Sequence, residues 1–173
     1  MDQRFLDVFT MEVSRQATFG ILAHEDLVGA ISARNATRIW YSVQSLLVAA
    51  GNVSKLLWPP RKQSAGRGKQ LRDSIGVTET SSLKARTFRN VFEHYDEKLE
   101  DWMTSSKRHN IVDSNVIGPG AIQGVDPGDF LRNIDPTSWT LTFRGSRLQI
   151  LPLIEALREV RAKADAIVSA RRS

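Results

Sequence analysis

The chain has 173 residues, 41% of them hydrophobic and 25% charged, with a formal net charge of +5. That length suits one ordinary domain with a real core, and that balance excludes a largely disordered chain. The absence of cysteine excludes disulfides, thiolate zinc sites and cysteine nucleophiles together, and fits a reducing compartment. The positive charge is spread along the chain, so attraction to a polyanion is open rather than dictated. The N-terminus lacks a basic segment leading into an apolar run, and no stretch of about eighteen apolar residues occurs, so a cytoplasmic chain without a membrane span is expected.

Phe5, Phe9, Val13, Ala17 and Ile21 recur at helical spacing and predict a first amphipathic helix over Phe5–Val28, with a break at Gly29. A second apolar stripe through Ile39, Trp40, Val43, Leu46, Leu47, Ala50, Val53 and Leu57 stops at Trp58-Pro59-Pro60, where proline ends a helix. Trp40 and Trp58 fall on or beside that stripe, which points to packing rather than base stacking. Arg61 to Gly76 is rich in Gly, Ser, Lys and Arg and reads as an exposed basic connection with one helical turn near Gln70–Ser74. Its Gly66-Arg67-Gly68-Lys69 fails as a phosphate loop, because Gln63 and Gln70 stand where that motif needs a glycine and a hydroxyl. Arg61, Lys62, Arg67 and Lys69 are still candidates to hold an RNA backbone by charge, against a merely solvated connection.

Behind the possible N-caps of Thr78–Ser82, a third helix is expected from about Leu83 to Thr104. Glycines and prolines then mark an irregular stretch with one short strand within Asn110–Ile117. Phe130–Ile134, Trp139–Phe143 and Arg147–Ile150 read as strands, the last two joined by a tight turn at Arg144-Gly145-Ser146. A fourth amphipathic helix closes the chain over Leu151–Ala170. The expected fold is mainly α, an antiparallel bundle of about four long helices in one domain over 1–173. A strand- and loop-rich insert over 110–150, a small hairpin or sheet, precedes the last helix.

On the third helix, Phe88, Phe92, Tyr95, Leu99 and Trp102 share one arc that must be buried. Arg86, Asn90, His94, Glu97 and Asp101 share the opposite arc, three or four residues apart, with Arg89 at the edge and Glu93 in reach of it. A solvated face with ordinary ion pairs is one reading of that stripe. The other is a site: a histidine can transfer protons near neutrality, and an arginine fork holds a phosphate through parallel hydrogen bonds.

At Arg89-Asn90-Val91-Phe92-Glu93-His94 the sequence resembles the HEPN family (higher eukaryotes and prokaryotes nucleotide-binding), whose signature is an Arg, often followed by a polar residue, and a His a few residues on. The resemblance extends to the three first helices and the last; the insert over 110–150 departs from the simplest members. It implies a metal-independent endoribonuclease, or a relative that only binds, of the kind found as the toxin of toxin–antitoxin or phage-defence modules. It also implies a homodimer whose two Arg and His sets line one cleft, and an antitoxin or nucleotidyltransferase partner, with no cofactor. Arg89 would then bind phosphate, His94 transfer a proton and Asn90 orient His94; Arg86 rivals Arg89 for the arginine role. The alternative is a catalytically silent helical RNA-binding or protein-interaction domain.

The remaining candidates read blandly. His24-Glu25-Asp26 lacks a second histidine at ligand spacing, so a capping or surface position is expected for His24. His109 marks the exposed exit of the third helix, and Glu12 is a partner for Arg86 or Arg89 or a structural ion pair. The basic residues of the last helix, Arg158, Arg161, Lys163, Arg171 and Arg172, suit a helix C-terminus and solubility. A serine-hydrolase elbow and a dinucleotide fingerprint are both missing.

Overall fold

A computed structural model describes residues 2–85, 94–118 and 120–171. Three long helices carry the core: α1 (Gln3–Ser32), α2 (Ala36–Leu57) and α5 (Ile150–Ala170). Asp2 caps α1, its carboxylate accepting from Arg4 N at 3.0 Å, and Asn35 caps α2 by accepting from Arg38 N at 3.0 Å. The helix α1 runs through Gly29 to Ser32 instead of breaking there, because Leu27 and Ala30 on either side are buried. A short turn reverses the chain into α2.

The helix α1 lies between α2 and α5 and is antiparallel to both. Asn52 Nδ2 donates to Gln16 Oε1 at 3.1 Å and Arg38 pairs with Asp26 at 3.3 Å, which fixes the register of α1 against α2. Ser14 meets Asp165 and Arg171 meets Asp7, so the end of α5 returns to the start of α1. At Gly20 an added Cβ would stand 2.8 Å from Leu157 Cδ1, which is how closely α5 approaches. Val13, Leu27, Val43, Leu46, Val53 and Leu157 are fully enclosed there. Burying one such side chain contributes about 2 kcal/mol.

The basic connection after Pro60 is a helix: a 3-10 turn at Lys62–Ser64 leads into α3 (Ala65–Ile75). Packing overrides weak propensity in this segment. Leu71 and Ile75 are buried, and Gly68 lies so close to the end of α2 that a Cβ would meet Pro59 Cδ at 2.4 Å and Leu57 O at 2.7 Å. Gly76 ends α3 in the left-handed region at φ 72°, with its N–H and that of Val77 both donating to Arg72 O.

The expected third helix is not one continuous element. Ser82–Lys84 is a 3-10 turn, Ala85 is extended at ψ 124°, and His94, with φ −120° and ψ 46°, stands outside the helix that follows it, α4 (Tyr95–Ser105). Among the described residues there are three long helices and two of 11 residues, where four long ones were expected. Of the expected aromatic arc, Trp102 is buried and Tyr95 and Leu99 pack against the core, while Phe88 and Phe92 lie outside the described residues.

The insert is a sheet of four short strands in the order β1 (Asn115–Val116), β2 (Arg132–Asp135), β3 (Thr140–Phe143) and β4 (Ser146–Gln149). The pair β1–β2 is parallel and the others are antiparallel, and Val112 makes one further bridge to Phe130. The hairpin turn is Arg144-Gly145, at φ 46° and 82°, the backbone that a two-residue hairpin requires. Ile134, Leu141 and Phe143 share the face buried toward the helices; Asn133, Thr140, Thr142 and Gln149 share the other. No described helix is long and apolar enough to cross a membrane.

Candidate functional site

His94 stands at the N-terminal end of α4, and its side chain is 54% exposed. Its Nδ1 lies 3.4 Å from Glu97 Oε1, three residues on. Asp96 and Glu97 in the first turn complement the positive end of the helix dipole, so this end is a sound helix start even without a side-chain cap. That separation is an exposed ion pair's, formed only when the imidazole is protonated. Lys98 and Asp101, paired at 2.7 Å, continue the polar side along α4.

The proposed stripe is only partly in view. Arg86, Arg89 and Asn90 lie outside the described residues, as does Glu93. The helical extrapolation that joined them to His94 does not hold at His94 itself, whose backbone is not helical. Glu12 meets Arg15 at 2.9 Å and Gln16 at 2.8 Å, the bland alternative offered for it.

The residue after His94 turns inward. Tyr95 lies under the Arg132 guanidinium, 4.2 Å from its ring centre, and meets Phe143 edge-on at 6.0 Å. Arg132 Nε donates to Asp113 Oδ1 at 2.9 Å, its Nη2 donates to Oδ2, and its backbone N–H reaches Oδ1 at 3.0 Å. The same guanidinium lies 5.8 Å over Trp40 of α2. Burial pushes the Asp113 carboxyl up, but the hydrogen bonds and charge of Arg132 outweigh it and hold it at about 2. Burial drives the Tyr95 phenol to about 12, Arg132 opposing and Asp113 reinforcing.

This clamp ties the start of α4 to the sheet and to α2, and so positions His94. The sequence reading passed over it. Its signal was Arg132, a charge at an inward position of the alternation that also places Ile134 and Phe143 inward.

The basic residues divide. Arg61 and Lys62 are exposed, whereas Lys69 pairs with Asp73 at 2.6 Å. Arg67 is turned back onto the protein: it donates to Leu56 O at 2.8 Å and lies 4.4 Å over the Phe9 ring. With Arg72, which donates to Leu57 O, it satisfies carbonyls left open at the end of α2. Arg72 and Lys84 also converge on Glu79, whose carboxylate accepts from Trp58 Nε1 at 3.1 Å. Hydrogen bonds from Lys84 and Trp58 hold Glu79 below the usual carboxylate range. Among the last helix's cations, Lys163 donates to Gly76 O and pairs with Glu159, and Arg161 pairs with Asp165; Arg172 lies outside the described residues.

His24 corrects its expectation. It is 8% exposed, and neither ring nitrogen has a hydrogen-bond partner; its ring lies 5.2 Å from that of Trp139, beyond β2. Burial, then the charge of Arg158, lower its pKa, with Glu25 opposing. His109 is exposed as expected, its Nε2 3.1 Å from Met103 O and its ring edge-on to Trp102.

The outer face of the sheet forms a cavity of about 350 Å³ with Asn133, Asp135, Ser138, Thr140, Thr142 and Arg147 among its walls. Asp135 is engaged there by Ser138 Oγ at 2.6 Å and Thr137 N at 2.9 Å, which hold it below the usual carboxylate range. Among the described residues no group of three His, Asp or Glu side chains is placed to hold a metal ion. Comparisons with family models, with curated proteins and with solved structures give no match.

Proposed function

We propose that this chain is a metal-independent endoribonuclease of the HEPN kind, acting as a homodimer. The observation that carries the reading is the exposed imidazole of His94, at the head of α4 and outside the core with Glu97 beside it, four residues beyond Arg89-Asn90. A buried His94 would have removed its basis.

The chemistry is in-line displacement within RNA. A base takes the 2′-hydroxyl proton, the 2′-oxygen bonds to phosphorus, the bond from phosphorus to the 5′-oxygen breaks, and an acid protonates that leaving oxygen. A cyclic phosphate and a 5′-hydroxyl result. One His94 per chain supplies one proton-transfer group, and a two-fold dimer supplies the base and the acid. Arg89, or Arg86, bears the charge of the phosphorane, Asn90 orients the imidazole, and exposed Arg61 and Lys62 hold the RNA backbone.

The test is cleavage of single-stranded and transfer RNA by purified protein in the presence of a chelator. His94→Ala is expected to lower the rate by about 10²–10⁴-fold with the fold intact. Equal rates for parent and variant end the assignment and leave a helical interaction or RNA-binding domain.

A further inference from the structure

His24 is a costly residue for its position on α1. It is 8% exposed, and both ring nitrogens lack a hydrogen-bond partner. An aliphatic or phenyl side chain would fill the same space with no polar atom to satisfy, so packing alone does not account for an imidazole there. Its cover is costly too. The Trp139 ring lies 5.2 Å from the imidazole, the planes tilted by 47°. Trp139 ends the turn 136–139 between β2 and β3, and its backbone is in the left-handed region at φ 52°, where a bulky side chain is rare. The rest of the turn is pinned on the other side of the sheet: Thr137 N donates to Asp135 Oδ1 at 2.9 Å and Ser138 Oγ to Oδ2 at 2.6 Å.

We infer that His24 and Trp139 form an acid-operated latch, in which a proton taken up by His24 drives Trp139 off the imidazole and loosens the turn 136–139. The neutral ring leaves one N–H and one lone pair unmet. The imidazolium leaves two N–H donors and a charge, and these cannot stay enclosed without water. One indole face attracts a cation, but less than two unmet donors and a buried charge cost. The surrounding charges act in the same sense. Arg158 from α5 opposes a proton on His24, and Glu25 on its own helix favours one more weakly. The turn 136–139 contains no titratable residue, Asp135 before it is held on the outer face, and α2 brings Arg38, already paired with Asp26. Burial and Arg158 together keep the ring neutral at neutrality and place its protonation below the ordinary 6.5.

The turn is the part that gives way. Helices α1 and α5 are fixed by the enclosed core, whereas Thr137 and Ser138 are exposed and the strained backbone of Trp139 relaxes on release. Asp135, Ser138 and Thr140 wall the cavity on the outer face of the sheet. Release of Trp139 therefore reshapes that cavity from behind, and a charge on α1 is felt on the far side of the sheet.

The test requires no RNA and stands apart from the ribonuclease reading. Nuclear magnetic resonance of the full chain follows the ring C–H of His24 and the indole N–H of Trp139 between about pH 7.5 and pH 5, the two signals being assigned with His24→Gln and Trp139→Phe. Both are expected to change with one shared midpoint below 6.5, while far-ultraviolet circular dichroism stays constant. At the acid end the Trp139 indole N–H should exchange with water at least about tenfold faster in the parent than in His24→Gln at the same pH. His24→Phe, which keeps a ring against the indole, is the second variant, and in both variants the Trp139 signal should stay flat across the range. A His24 still neutral at the acid end, a His24 that titrates while Trp139 stays put, a Trp139 that moves equally in the variants, or loss of helix signal along with it overturns the latch.

Discussion

The three long helices and the region of α4 and the sheet are stabilised by different physics. Where α1, α2 and α5 meet, most enclosed side chains are aliphatic and contacts are close enough that Gly20 has no room for a Cβ beside Leu157. Around α4 and the strands, much of the fastening is polar: Arg132 on Asp113, Trp102 Nε1 on Asp129 Oδ1 at 3.0 Å, Arg144 on Ser105 Oγ at 2.5 Å. Apolar packing resists substitution by volume, whereas polar joints respond to charge and pH. The candidate site sits on the second kind of ground.

Paired substitutions sharpen that contrast. Leu27→Ala, in the fully enclosed centre of α1, is expected to cost about 3–5 kcal/mol in urea unfolding with little change between neutral and acid pH. Arg132→Met is expected to cost about 2–3 kcal/mol at pH 7, because Asp113 is left desolvated without its cation. Its cost should depend on pH. The native Asp113 carboxyl is depressed to about 2 from an ordinary 3.8, so the stability it contributes is complete above 3.8 and is lost as pH falls toward 2. Parent and variant should converge across that window; a pH-independent gap breaks the contrast.

His24 tests the boundary between the regions, since it joins α1 to the sheet through Trp139. Its pKa is lowered from 6.5, so the unfolded chain binds its proton first, and folded stability is expected to fall as pH drops below 6.5. His24→Phe should remove that acid sensitivity in thermal melts followed between pH 7.5 and pH 5. If the melts of the two proteins move in parallel, the buried imidazole is not the source. The smallest effect is expected at the exposed Lys69–Asp73 pair: Lys69→Ala should change stability by less than about 0.5 kcal/mol, and less still in high salt.

How far the sequence was readable follows the same division. The helix α2 announced itself through an unbroken apolar stripe that ends on two prolines, and the hairpin through Arg144-Gly145 between alternating strands. The segment of α3 hid because Gly66 and Gly68 argue against helix locally; only the space beside Pro59 and Leu57 explains a glycine there. The interruption at Ala85 and His94 carries neither glycine nor proline, so periodicity alone ran through it. His24 was legible in principle, since it continues the buried series of Val13, Ala17 and Gly20 on α1. At the site, the exposed imidazole was anticipated, but the clamp of Tyr95, Arg132 and Asp113 behind it joins three separate elements that no local pattern connects.

The four tryptophans stand at four different seams: Trp40 under the sheet's guanidinium, Trp58 where α3 meets α2, Trp102 on the loop carboxylate of Asp129, and Trp139 against the imidazole of α1. Each indole has a distinct quencher or charge beside it. The chain therefore carries built-in optical labels, and single-tryptophan versions would let emission colour report which joint parts first as the molecule opens.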